Sequence, residues 1–118
     1  MLSFPSAVKI YLCRQPADMH RSFDGLAMMV KTFLHQDPLS GHIFVFSNRK
    51  GDRVKLLYWD HDGFALWYKR LEKGLFSVPA GDTSGRMDQR QLSMMLEGID
   101  VSCVRLKRRF QLKRQHSH

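Results

Sequence analysis

Between Asp37 and Pro79 the chain crowds three runs of apolar β-formers into so short a span that only a sheet covered on both faces accommodates them. The runs are Ile43–Phe46, Val54–Trp59 and Phe64–Tyr68, and the clusters Asn48-Arg49-Lys50-Gly51-Asp52 and Asp60-His61-Asp62-Gly63 separate them. Aromatic and β-branched runs bounded by Gly, Asn and Asp are strand and turn signals, so the stretch predicts a three-stranded antiparallel meander. In its second hairpin an even-length loop sets Lys55, Leu57, Trp59, Phe64, Leu66, Tyr68 and Arg70 on one face. Val54, Leu56, Tyr58, Ala65, Trp67, Lys69 and Leu71 then take the other. Both faces are apolar, so one needs an amphipathic helix and the other a second helix, the C-terminal segment or a second copy of the chain.

The flanking sequence supplies such covers. Val8, Ile10 and Leu12 alternate with Lys9 and Tyr11, the period of a half-buried strand, and Pro16 stops it. From Met19 the apolar residues Met19, Phe23, Leu26, Ala27, Val30, Phe33 and Leu34 form one stripe roughly 120° wide on a helix. Asp18 is its expected N-cap, and Asp37-Pro38 its expected end, because a residue before proline avoids the helical region. Ala80–Gly85 has nothing to bury and reads as a mobile loop and hinge. Asp88 then opens a short helix with Leu92, Met95, Leu96 and Ile99 on its buried side and Gly98 at its end. Val101, Cys103 and Leu106 suit a last strand. The expected class is α+β: an antiparallel β-meander sheet packed by one amphipathic helix, plus a short C-terminal helix. A single domain spans 1–104, and a basic C-terminal tail spans 105–118.

Charge then narrows the partners. Lys and Arg total 19 against 11 Asp and Glu, in a chain of 118 residues with 43% apolar content, which is a folded basic protein and not a disordered basic tail. No apolar run approaches the roughly 18 to 20 residues of a membrane span, so no membrane partner is expected and nucleic acid leads. The meander carries Arg49, Lys50, Arg53, Lys55, Lys69, Arg70 and Lys73. The tail carries Arg105, Lys107, Arg108, Arg109, Lys113 and Arg114 without an intervening acid. Apart from Lys55, these are the candidate contacts to the DNA phosphate backbone, where neutralising each phosphate releases condensed counterions. Cys13 and Cys103, each flanked by apolar residues, read as small core residues, and the N-terminus lacks the basic-then-apolar plan of a secretory leader. A cytoplasmic protein is expected.

Chemistry-bearing motifs are sparse. Asp60-His61-Asp62-Gly63 begins like a calcium loop, but strand-like Phe-Ala-Leu-Trp-Tyr-Lys follows where further ligands and a glutamate belong, so it reads as a turn. Trp59 and Trp67 stand at strand spacing inside an apolar run and read as core before they read as base-stacking platforms. The sequence has no Gly-rich phosphate loop, no GxSxG and no paired Cys-x-x-Cys. Neither catalytic residues, a metal nor a cofactor is nominated, and the chain is not expected to be an enzyme. A small metal-dependent nuclease built from Asp18, Asp60 and Asp62 is the third of three functional readings.

The segments Pro16–Leu26, Asp37–Phe46 and above all Lys55–Gly74, KLLYWDHDGFALWYKRLEKG, resemble the small TnpB accessory protein encoded by insertion sequences of the sixty-six group. The likeness runs from about Val8 to Ile99. Gln15, where that family usually has Gly, and His20, where it usually has Arg, are small departures. The resemblance implies a role in transposition beside a separate, larger transposase, with no catalytic activity of its own established for that family, and it supplies no list of functional residues. The TnpB name is shared with a much longer RNA-guided nuclease of a different kind. The first reading is therefore a non-enzymatic accessory protein that binds DNA through a basic surface and assists the element-encoded transposase. The alternative is a protein-interaction adaptor that stabilises the transposase with little DNA contact.

Overall fold

The computed structural model describes residues 4–79 and 85–98. The elements are β1 (Ile10–Cys13), α1 (Phe23–Met29) continued by a π-helical stretch (Val30–Leu34), β2 (Ile43–Ser47), β3 (Arg53–Asp60), β4 (Gly63–Arg70), β5 (Arg86–Met87) and α2 (Gln89–Glu97). The strands form one five-stranded sheet in the order β4-β3-β2-β1-β5. The meander β2-β3-β4 is antiparallel, as its turn chemistry requires, with Leu56 opposite both Val45 and Trp67. β1 lies parallel to β2, Ile10 beside Ile43 and Cys13 beside Phe46, which makes the sheet mixed. Parallel neighbours need a crossover, and α1 with its π-helical continuation is that crossover.

Both faces are covered. Tyr11, Cys13, Phe44, Phe46 and Leu57 pack under Leu26, Met29 and Val30 of the crossover helix. Ile10, Leu12, Ile43, Val45, Val54 and Leu56 pack under Leu92, Met95 and Leu96 of α2, with Phe76 and Met87 at the side. The second cover is thus the short helix, one of the alternatives that the two-faced composition leaves open. Trp67 joins the α2 side and Leu66 the α1 side, in the alternation expected of an even hairpin loop. The hairpin closes on Asp60 and Gly63 with His61 at φ 57°. The meander's first turn uses Gly51 at φ 88°, where other residues are strained.

The start of α1 differs from expectation. Asp18 does not cap it: its carboxylate accepts the His20 N–H at 2.9 Å and closes a local turn, and the helix begins four residues later behind Ser22. Asp and Asn compete for backbone groups in this way, so the same residue signals a cap or a turn. The helix widens into its π turn after Met29 and ends on left-handed His35 (φ 52°), just before Asp37-Pro38. The apolar stripe shifts with it. Met29 and Val30 are buried, whereas Phe33 is 47% exposed. α2 begins as expected: Asp88 accepts the Gln91 N–H at 2.7 Å, and the Gln91 side chain accepts the Asp88 N–H at 2.9 Å, a complete capping box. β5 is a two-residue strand with no periodic signal in the sequence. It pairs Met87 with Ile10, and Gly85 just before it accepts the Leu12 N–H. Most of the expected loop at Ala80–Gly85, the last strand, the tail and the 104/105 boundary lie outside the described residues.

Candidate nucleic-acid interface

β1 and β2 run in the same direction, and β3 begins and β4 ends where they finish. Residues just beyond Cys13 and Ser47, at the start of β3 and at the end of β4 therefore share one end of the sheet. Arg14, Arg49, Lys50, Arg53, Arg70 and Lys73 all fall there. Arg21 joins them, because it lines a groove of about 360 Å³ with Gln15, Pro16, Phe33 and Arg49. The opposite end carries Asp60, Asp62 and Asp88 beside Lys9 and Arg90.

The basic end is presented by rigid turns. Asn48 Oδ1 accepts the N–H groups of Gly51 at 2.9 Å and Arg53 at 3.1 Å, while Asn48 Nδ2 donates to Asp52 Oδ1 at 2.7 Å. That last bond, with the charges of Lys50 and Arg53, holds the Asp52 carboxyl below the usual carboxylate range. The segment after β4 folds back along this turn through Leu71 N–H to Asp52 O and Phe76 N–H to Gly51 O. Arg49 and Lys50 stand exposed at the tip. Lys50 Nζ lies 3.8 Å from Asp52 Oδ2. Arg70 donates to Glu72 through Nε at 3.1 Å and Nη2 at 3.0 Å, which holds its guanidinium still more firmly protonated. On the crossover side, His20 N–H and ring hold the Asp18 carboxyl low as well. Arg14 donates to Pro79 O at 3.2 Å.

Two sheet lysines face inward. Lys55 is 7% exposed, donates from Nζ to Met19 O at 2.7 Å and Arg21 O at 3.0 Å, and lies 5.0 Å from the Tyr68 ring centre. It fixes the chain that carries Arg21. Lys69, one of the candidate contacts, is half-buried and donates to Leu96 O at 3.0 Å, which satisfies a carbonyl at the end of α2. Of the candidates, Arg49, Lys50, Arg53, Arg70 and Lys73 come together, Lys69 is turned under α2, and the tail cations lie outside the described residues. Arg14 and Arg21 were missing from that set, and the signal for them is the parallel β1–β2 pair, which brings the chain after Cys13 beside the Asn48 turn. Asp18 lies at the basic end and Asp60 and Asp62 at the opposite one, so these acids do not converge, and among the described residues no three His, Cys, Asp or Glu side chains are placed to hold a metal.

Away from this end, the Cys13 thiol is buried, which pushes its pKa up and keeps it a core residue. His42 Nδ1 accepts the Lys9 N–H at 3.0 Å, and burial, with the charges of Lys9 and Arg86, holds the imidazole below its ordinary range.

Residues 8–106 match the family model described as IS66 Orf2 like protein. Among curated proteins, the chain is 34% identical over 108 residues to the uncharacterised protein y4jC of Sinorhizobium fredii, covering 91% of this chain and 92% of that one. It is 35% identical over 101 residues to y4hO of the same organism, covering 85% and 88%. No solved structure matches it.

Proposed function

Because the chain belongs to the IS66 Orf2-like family, which makes it an insertion-sequence-associated accessory protein, we propose that it serves transposition by binding rather than catalysis, holding DNA phosphates at the basic end of its sheet beside a separate transposase. One observation carries this reading: the fold gathers Arg14, Arg21, Arg49, Lys50, Arg53, Arg70 and Lys73, scattered over sixty positions of sequence, onto one end. Turns held by backbone and Asn48 hydrogen bonds present several of them, so little loop entropy is lost on contact. The tail cations from Arg105 to Arg114 add to the same charge. Backbone contacts of this kind position a protein on DNA without reading sequence. The isolated protein binds duplex DNA weakly and with little sequence preference, and raising salt from roughly 50 to 200 mM lowers affinity by orders of magnitude. Arg49→Glu with Lys50→Glu weakens binding and flattens the salt slope while the melting temperature holds. Salt-independent binding, or charge-reversed protein binding like the parent, rules the reading out.

Phe33, exposed beside Arg49 in the groove, favours a second reading, in which this end meets an acidic, partly apolar patch on the transposase. In that case the isolated protein ignores DNA, while the charge-reversed variant no longer co-purifies with the transposase.

A further inference from the structure

Among the described residues β4 forms one edge of the sheet, with no strand beyond it. Proteins guard such edges with charges, prolines or bulges, yet the middle of β4 reads Phe64-Ala65-Leu66-Trp67-Tyr68 with none of these. Because the hairpin closes on the pair Asp60–Gly63, backbone groups of Gly63, Ala65, Trp67 and Lys69 turn toward β3. The Leu71 N–H, which donates to Asp52 O, continues that alternation. Phe64, Leu66, Tyr68 and Arg70 therefore direct their N–H and C=O groups outward. The side chains of Phe64 and Leu66 are half-buried on the α1 face, Phe23 stacks on Phe64 at 6.5 Å, and Phe23 and Tyr68 are 40% and 47% exposed.

We propose that this edge is where two copies of the chain join, β4 against β4, antiparallel about a two-fold axis through Leu66. The strand complements itself in that register. Leu66 meets Leu66, Phe64 meets Tyr68, and Asp62 meets Arg70, each of the last two occurring twice. Phe64, Leu66, Tyr68 and Arg70 are all outward-bonding residues, Asp62 opposes Arg70 from the turn just before the strand, and the α1 faces of both copies stay on one side. Neighbouring registers fit less well: an axis through Trp67 sets Asp62 against Glu72, and one through Ala65 sets Asp62 against Tyr68. Charge agrees on the larger scale too, since each hairpin tip, with Asp60 and Asp62, comes beside the basic end of the other copy. Two five-stranded sheets become one.

Light scattering on the full chain across a concentration series gives a dimer. Asp62→Arg and Arg70→Asp each weaken it by about tenfold, and the two together restore it, because each opposing pair then regains unlike charges. In a Cys103→Ser background, Leu66→Cys forms an intermolecular disulfide on mild oxidation, since facing residues across the axis lie within about 5.5 Å, whereas Phe64→Cys does not. Thermal melts of each variant establish that it is folded. A full chain that stays monomeric overturns the proposal and gives the edge to the transposase or to this chain's own residues 99–118. A dimer indifferent to the charge exchange, or cross-linked equally by both cysteines, overturns the register and the edge together.

Discussion

Lys55 shows how one residue turns charge into architecture. A lysine in a basic sheet invites a surface reading, yet its ammonium ties Met19 O and Arg21 O to the sheet from a nearly buried position. Lys55→Met keeps the stem and deletes the donors, leaving two carbonyls short of partners, and costs about 2 to 4 kcal/mol in urea denaturation. His42 works in the opposite sense, as a group that must stay neutral. Its folded pKa lies below the ordinary 6.5, so as pH falls the unfolded chain takes the proton first, and protonating Nδ1 also breaks the bond from Lys9 N–H. Stability contributed by His42 is present above about pH 6.5 and is lost as pH falls below it. Melting temperature accordingly drops between pH 7.5 and 5.5, and His42→Asn, which keeps an acceptor and cannot titrate, shows a smaller drop. An equal slope in both proteins assigns the effect elsewhere.

At the scale of elements, the meander was legible because turn parity and period-2 alternation together fix a register, and the Leu56–Trp67 and Leu57–Leu66 pairs follow from counting alone. Trp67→Ala removes a ring packed against the α2-side core and costs about 3 kcal/mol in stability. α2 was legible from Asp88 at its start and the apolar stripe of Leu92, Met95 and Leu96 behind it. The start of α1 was not, because Asp18 satisfies a turn with the chemistry that caps a helix, and nothing in local sequence announces a π turn after Met29. β5 was hidden for another reason. A two-residue strand has no period, and its place depends on Gly85, where φ is 76° and an added Cβ would lie 2.8 Å from Leu12 O. Gly85→Ala forces the backbone apart and destabilises by about 2 kcal/mol or more, measurable by thermal melting.

At the scale of the whole molecule, what the sequence offered about the site was its sign of charge, and what the fold added was place. Composition calls for an acidic partner, but whether the cations lie together depends on strand directions, and β1 joining β2 in parallel brings Arg14 and Arg21 to Arg49. Lys69 and Lys55 show the converse, because positive residues in a strand are cheap to recruit for holding helix carbonyls and chain segments. Removing residues 104–118 deletes Arg105, Lys107, Arg108, Arg109, Lys113 and Arg114. DNA affinity then falls and the salt slope shallows, with the remaining binding abolished by Arg49→Glu and Lys50→Glu. Should the shortened protein keep the parent's slope, the phosphate contacts belong to the sheet end alone.

Putting Arg49, Lys50, Arg53, Arg70 and Lys73 at one end of a hairpin of two eight-residue strands and Asp60 and Asp62 at its tip gives a single copy an electric moment along the strands, over about 25 Å. In the field of a polyanion such a body experiences a torque that turns its positive end forward before any contact forms. On the proposed DNA-binding reading, a substitution at the tip such as Asp62→Asn alters the rate of association with DNA far more than the rate of dissociation, as stopped-flow mixing with duplex DNA reads out. Two copies joined along β4 set their moments antiparallel, side by side, so the in-plane components cancel, and the proposed pair presents two equivalent positive ends facing opposite ways.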